Sequence, residues 1–314
     1  MSATARATNH TPAHTPGIPT WEVGNIAVHR IDETSLPPAT GPWLLPEATG
    51  EVVTQHPWLS PDFADEQGVP RLASHSFALT TGGLRVLVDT GIGNGKPRAN
   101  PAWNDLNTDY LDRLTQAGFP PESVDLVILT HLHTDHVGWN TRKSGGTWEP
   151  TFPRARYLTS RTEWDFWAGY AMDEPRRQMF RDSVDPVRAA GLLDLVDVAE
   201  NGTDVAPGLR LLPTPGHTPG HLAVGLRDDD ATALITGDCV HHPVQLPHPG
   251  IGSCVDIDPV QAEATRRSLI RSLADTETLV LGTHFPPPTA GRLRTHGTTH
   301  RLAPVPPELR TERL

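Results

Sequence analysis

The sequence predicts an α+β fold, a four-layer αβ/βα sandwich in which two β-sheets pack face to face with helices on both outer surfaces. Three observations carry this. Short apolar strands recur along the 314 residues. Helical patterns fall between them in the order strands, helix, strand, helices, strands, helix, strand, which suits two packed sheets with helices outside. Several strands end on a His or an Asp, and strand ends are where open α/β sheets place their ligands.

The elements follow in chain order. Residues 1–20 are polar, carry Pro12, Pro16 and Pro19, and read as a flexible arm ahead of a single domain over 21–314. Residues 25–31 alternate well enough for a first strand. Residues 37–70 are proline-rich, with Trp43, Trp58 and Phe63, and little regular structure is expected there. That stretch reads either as a lid or interface arm or as padding at the core edge. Strands 74–79 and 84–88 form a hairpin through Thr81-Gly82-Gly83, because paired glycines supply the positive φ of a tight turn. A helix over 105–117 sets Leu106, Tyr110, Leu111 and Leu114 on one face and stops at Gly118 and Pro120-Pro121. Residues 124–129 form a fully buried strand, and 156–158 a short one. Ser160 and Glu163 fit a capping box that opens a helix through Trp164 and Trp167, both read as core. A further helix runs from about 174 to 190. Strands follow at 194–198, 209–213, 221–226 and 232–236. A helix spans 258–273 with Pro259 in its first turn. The last buried strand, 278–281, leads into Gly282-Thr283-His284.

Composition narrows the function. Apolar residues make up 37% of the chain and the formal net charge is −11. A chain of this length can bury a real core at that fraction. The acidic balance argues against nucleic acid and anionic membranes, which attract basic patches, and bound divalent cations would offset part of it. The two cysteines, Cys239 and Cys254, imply no disulfide framework, although a single bridge between them is open. No signal peptide and no membrane-length apolar run is visible. A soluble cytoplasmic protein is expected, acting on a small molecule, with a homodimer left open.

The chemistry concentrates in Thr130-His131-Leu132-His133-Thr134-Asp135-His136. Three imidazoles and one carboxylate in six positions suit zinc or a related divalent ion, and a metal centre needs such groups to converge. A lone His near a strand end is more often structural. Here the pattern recurs: His217 follows strand 209–213, Asp238 follows 232–236, and His284 follows 278–281.

This set resembles the metallo-β-lactamase superfamily. The His-x-His-x-Asp-His motif, the Gly-His-Thr-Pro-Gly-His segment at 216–221, Gly237-Asp238 and the late His284 stand in the family's order, and Asp89-Thr90-Gly91 matches its early turn. The resemblance covers roughly residues 22–290. It implies two divalent metals, zinc by default, with iron or manganese as alternatives. His131, His133 and His217 would hold the first, Asp135, His136 and His284 the second, and Asp238 would bridge them. The chemistry implied is attack by a metal-activated hydroxide on a small ester-like substrate, with Asp135 also accepting a hydrogen bond from the nucleophile. Asp89 would orient loop backbone or a ligand histidine, its alternative being a turn cap. His221 reads as structural, partnered by backbone at the next strand. Of His241 and His242, one would donate to substrate or leaving group, His242 being the candidate catalytic residue and His241 a substrate contact; a water-exposed loop is the bland reading. Trp139 and Phe285 are candidate pocket walls, and Cys239 a small buried hydrophobe. Within the superfamily the chain looks most like the lactonase and organophosphate-hydrolase branch, so a lactone or aryl ester is expected. Alternatives are a phosphotriesterase, a glyoxalase-type thioesterase using the basic Arg292, Arg294 and Arg301, a β-lactamase, or an iron protein that uses oxygen.

Overall fold

The computed structural model describes residues 17–310. Its strands are, in order, Ile18–Val23 (β1), Ile26–Ser35 (β2), Ala73–Thr81 (β3), Leu84–Val88 (β4), Leu126–Ile128 (β5), Thr141–Ser144 (β6), Thr147–Pro150 (β7), Arg156–Ser160 (β8) and Leu193–Val196 (β9). Then come Thr203–Ala206 (β10), Leu209–Pro213 (β11), Leu222–Asp228 (β12), Ala231–Ile235 (β13), Leu279–Leu281 (β14), Ala290–His296 (β15), Thr299–Pro304 (β16) and Glu308–Arg310 (β17). The α-helices are Thr40–Leu44 (α1), Gly50–Thr54 (α2), Tyr110–Gln116 (α3), Arg161–Gly169 (α4), Glu174–Met179 (α5), Asp185–Ala189 (α6) and Pro259–Leu273 (α7). One sheet runs β17-β1-β2-β3-β4-β5-β8-β9 and the other β10-β11-β12-β13-β14-β15-β16, with β6-β7 a separate hairpin.

Strand alternation builds the layers, because successive side chains point to opposite faces. In β4, Val86 and Val88 enter the core between the sheets while Leu87 faces the outer core under α3 and α4. In β13 and β14, Ala233, Ile235, Leu279 and Leu281 join the inter-sheet core, while Leu234 and Val280 meet Ile270 and Leu273 of α7 on the far side. Two sheets with helices outside each is the sandwich the sequence predicts.

Several expectations need correction. The stretch read as a flexible arm ends inside β1, which takes up Ile18 onward; residues 1–16 lie outside the described residues. The 37–70 segment holds α1, α2 and a 3-10 turn at Pro57–Leu59. Its Leu44, Leu45, Val53, Leu59 and Phe63 are buried against the second sheet's outer core, whereas Trp43 is 55% exposed. It is thus core padding along one side and cavity rim at Trp43. The helix expected from 105 starts at Tyr110, since Asp105 takes a positive φ of 54°. The 174–190 helix is interrupted by a π-turn at Phe180–Val184. The chain also continues past 281 into β15, β16 and β17, whose apolar signal is thin: along the β15–β16 ladder only Leu293 and Leu302 are large buried hydrophobics.

Candidate metal centre

Two buried carboxylates shape the loop that follows β5. Asp89, at the end of β4 with φ 56°, accepts hydrogen bonds from Thr130 N at 2.8 Å and Thr130 Oγ1 at 2.9 Å. Its Oδ2 also meets His136 Nδ1 at 3.0 Å. Glu163 supports the loop from the other side. It accepts from Leu132 N at 3.0 Å and from Trp167 Nε1 at 2.7 Å through one oxygen, and from Thr218 Oγ1 at 2.6 Å and Gly220 N at 3.2 Å through the other. Half of the expected capping box is present: Ser160 Oγ accepts from Glu163 N at 2.9 Å. The Glu163 carboxylate does not fold back; it ties the His131–His136 loop, α4 and the His217 loop together.

Asp238 occupies the middle of the centre. Its Oδ2 lies 3.8 Å from His131 Nε2 and 3.3 Å from His217 Nε2. Its Oδ1 lies 3.4 Å from His136 Nε2 and 3.2 Å from His284 Nε2. Asp135 stands 3.8 Å from His136 Nε2 and 3.7 Å from His284 Nε2. His133 Nδ1 meets His217 Nε2 at 2.9 Å. The residues therefore fall into two groups, His131, His133, His217 and Asp238 in one and Asp135, His136 and His284 in the other. Within each group one donor atom per residue lies within 4.8 Å of the rest.

The outer nitrogens of four histidines are already engaged. His131 Nδ1 meets Thr130 Oγ1 at 3.1 Å, His136 Nδ1 meets Asp89, His217 Nδ1 meets Asp256 Oδ1 at 2.8 Å, and His284 Nδ1 donates to Ala73 O at 2.9 Å. Such partners fix ring orientation and aim Nε2 inward, as outer contacts do around bound metals. Asp256 was not foreseen; 39 residues separate it from His217, and nothing marks it beyond a lone Asp ahead of a helix.

The inward atoms test whether cations fit. Nε2 of His131 and His136 and Oδ1 of Asp238 are buried and make no hydrogen bond. Buried polar atoms ordinarily find partners, and five imidazoles with two carboxylates are a donor set for zinc-like ions. Electrostatics agree. Burial holds His131 and His133 well below the usual imidazole range, which keeps them neutral and able to ligate. Burial also opposes charging His136, but Asp238, Asp89 and Asp135 outweigh it and push it well above that range. Burial would raise Asp238, yet the surrounding imidazoles of His136, His284, His241 and His131 hold its carboxyl far below the usual carboxylate range. A pair of divalent cations satisfies this arrangement, and binding them would displace the proton of His136.

The remaining candidates divide. His221 is structural and has backbone partners, as expected: Nε2 accepts from Asp238 N at 2.8 Å and Nδ1 lies 3.1 Å from Thr214 O, with Thr214 Oγ1 also at 2.8 Å, so it holds the loop that carries Asp238. His241 faces the centre, with Nε2 at 3.2 Å from Asp238 Oδ2. His242 does not. It donates from Nε2 to Phe63 O at 2.7 Å and accepts Val244 N on Nδ1 at 3.0 Å, so both nitrogens are spent on backbone. Trp139 is a core residue that stacks on Tyr110 and donates to Glu33 Oε1 at 2.8 Å. Phe285 packs on Phe63 in the outer core. Neither lines the cavity. Arg292 and Arg294 pair with Glu277 beside β15, away from the centre. Cys239 and Cys254 are free thiols, and burial pushes Cys239 up to about 12.

A cavity of about 180 Å³ opens onto His133, Asp135, Asp238 and His284. Its other walls are Leu36, Trp43, Leu44, Trp103 and Val255, with Thr40, Thr134 and Arg176. Thr40, Trp43, Trp103, Thr134 and Arg176 also border an outer cavity of about 710 Å³.

This architecture can be set beside known proteins. A family model, the Metallo-beta-lactamase superfamily, matches residues 69–284. The N-acyl homoserine lactonase AiiA of Bacillus thuringiensis subsp. kurstaki is 25% identical over 162 residues, which cover 48% of this chain and 56% of that protein. The chain thus spans about half the length of the curated relatives it matches. Among solved structures, AidC, a dizinc quorum-quenching lactonase, superposes with a TM-score of 0.75 at 22% identity over 94% of this chain and 98% of its own. The hydrolase AbOPH of the beta lactamase superfamily does so with a TM-score of 0.74 at 23% identity, over 93% and 99%. At these identities the structural likeness is one of fold. The family model covers more than half of the chain and spans all seven clustered donors through to His284, so the chain belongs to the metallo-beta-lactamase superfamily.

Proposed function

We propose that the protein is a dinuclear metal-dependent hydrolase that opens a small ester-like substrate, a lactone or aryl ester. The observation that carries this reading is the divided carboxylate of Asp238, with one oxygen toward each histidine group. His131, His133 and His217 would hold one cation, Asp135, His136 and His284 the other, and Asp238 both. Two such ions, zinc by default, supply Lewis acidity and ionise water near neutral pH.

The chain's own groups do the rest. Asp135, half-buried at the cavity floor, accepts a hydrogen bond from the attacking water as well as ligating. His241, kept below the usual imidazole range by burial, presents a ring nitrogen beside Asp238 and donates to the substrate oxygen. The apolar walls Leu36, Trp43, Leu44, Trp103 and Val255 exclude bulk water and seat an uncharged ring or chain. N-acyl homoserine lactones, named for the curated relatives, are the first lactones to try.

A panel of lactones, aryl esters, phosphotriesters, thioesters and β-lactams on the metal-loaded protein tests the reading. Turnover of lactones or aryl esters above the other classes is expected. Hydrolysis of none, with oxygen uptake in its place, would overturn it.

A further inference from the structure

The wall between the inner and outer cavities carries a guanidinium that no side chain holds in an ion pair among the described residues. Four arginines approach this side of the molecule. Arg98 spends its guanidinium on Asp182, with bonds of 2.8 and 2.9 Å. Arg177 and Arg181 both pair with Glu174. Arg176 makes no side-chain hydrogen bond or ion pair with any described residue. Its near neighbour Asp173 accepts the Arg176 backbone N–H at 2.9 Å and so serves as the cap of α5. The Arg176 guanidinium sits over the Trp167 ring, its central carbon 4.3 Å from the ring centroid. That contact fixes its direction while leaving its edge donors free. The side chain borders both cavities, beside Thr134 and across from Trp43 and Trp103.

A partly desolvated guanidinium without a partner is costly, and a planar oxyanion matches its donor fork.

We infer that Arg176 is a specificity-determining residue, selecting ester or lactone substrates that carry a carboxylate on the outer side of the scissile group. The substrate spans the cavity with its reacting carbonyl at Asp135 and Asp238, an apolar portion between Trp43 and Trp103, and its carboxylate on Arg176. The inference rests on the hydrolase reading above.

The test compares two aryl esters of equal length, one ending in a carboxylate and one in the neutral primary amide, on wild type, Arg176→Met and Arg176→Lys. Wild type should favour the carboxylate in kcat/KM by about 10- to 100-fold, the range of a charge-assisted hydrogen bond. Arg176→Met should bring that ratio to about 1, mainly through KM, and Arg176→Lys should keep part of it. A second readout does not need turnover: glutarate should quench tryptophan fluorescence in wild type and bind at least about 10-fold more weakly in Arg176→Met. If neither ester is hydrolysed, the hydrolase reading fails, and glutarate binding alone decides Arg176. Equal ratios in wild type and Arg176→Met, or equal glutarate affinity in both, would overturn the inference.

Discussion

His217 shows what one residue can and cannot disclose. Its place after a strand and within Gly216-His217-Thr218 marks it as a candidate ligand, but its orientation depends on Asp256, far away in sequence. Chemistry-bearing residues were legible because they are dense, or because they recur at strand ends. Their supports were not, because a hydrogen bond across 39 residues leaves no local pattern. The same limit explains His242, Trp139 and Phe285. Each lies next to a ligand segment, yet backbone direction turns it into the core, and adjacency in sequence says nothing about that. Asp256→Ala should leave the fold intact and weaken metal binding by about 10- to 100-fold, as loss of an outer ligand contact does elsewhere. Competition with a chromophoric chelator measures this, and unchanged affinity would remove Asp256 from that role. Lys96 gives a prediction of another kind. Its ammonium is buried, bonded to Thr141 Oγ1 at 2.7 Å and Asp182 O at 3.0 Å, and burial pulls it down to about 7. In the unfolded chain a lysine keeps its proton to about 10.4. Between those values the unfolded state binds more protons, so this group adds stability as pH rises. Wild type should therefore gain on Lys96→Met between pH 7 and 10 in denaturant melts. A difference independent of pH would contradict the assignment.

Elements were read best where periodicity is strong. The hairpin into β4, the buried β5, β11 to β14 and α7 all lie close to their expected positions. Elements that borrow their burial from distant parts were missed. The short helices α1 and α2 sit among prolines and are held by packing of Leu44, Leu45 and Val53 on the second sheet's outer core. The β15–β16 ladder presents arginines, threonines and histidines outward and little apolar signal inward. Joints between elements matter most for the site. Gly220 abuts the first turn of α4, where a Cβ would overlap the Glu163 backbone. Glu163 then links that turn to both ligand loops. Glu163→Ala should leave the Leu132 N–H, the Trp167 indole and the Thr218 hydroxyl buried without their acceptor, at about 1–3 kcal/mol each. Thermal unfolding should fall by roughly 10 °C, with metal affinity lowered too. A Tm within 2–3 °C of wild type, about 1 kcal/mol for a chain this size, would show the loops to be held by other contacts.

At the scale of the whole molecule, the sandwich brings four strand ends to one edge. Loops after β5, β11, β13 and β14 meet there, and each contributes donor groups that alone would be an unremarkable His or Asp. The fold class was readable because strand and helix order already implies two packed sheets. The cavity was not, since Leu36, Trp103, Arg176 and Val255 come from separate loops and helices. Among the described residues no helix is long and apolar enough to cross a membrane. The central claim is that one carboxylate, Asp238, holds two cations between the histidine groups. Elemental analysis of the purified protein, run beside Asp238→Ala and with lactone turnover followed on both, tests it most directly. The account expects close to two divalent metals per chain in wild type, and a marked loss of metal and of turnover in the folded variant. A protein that turned over substrate without metal, or a variant that kept both metals and full activity, would contradict it.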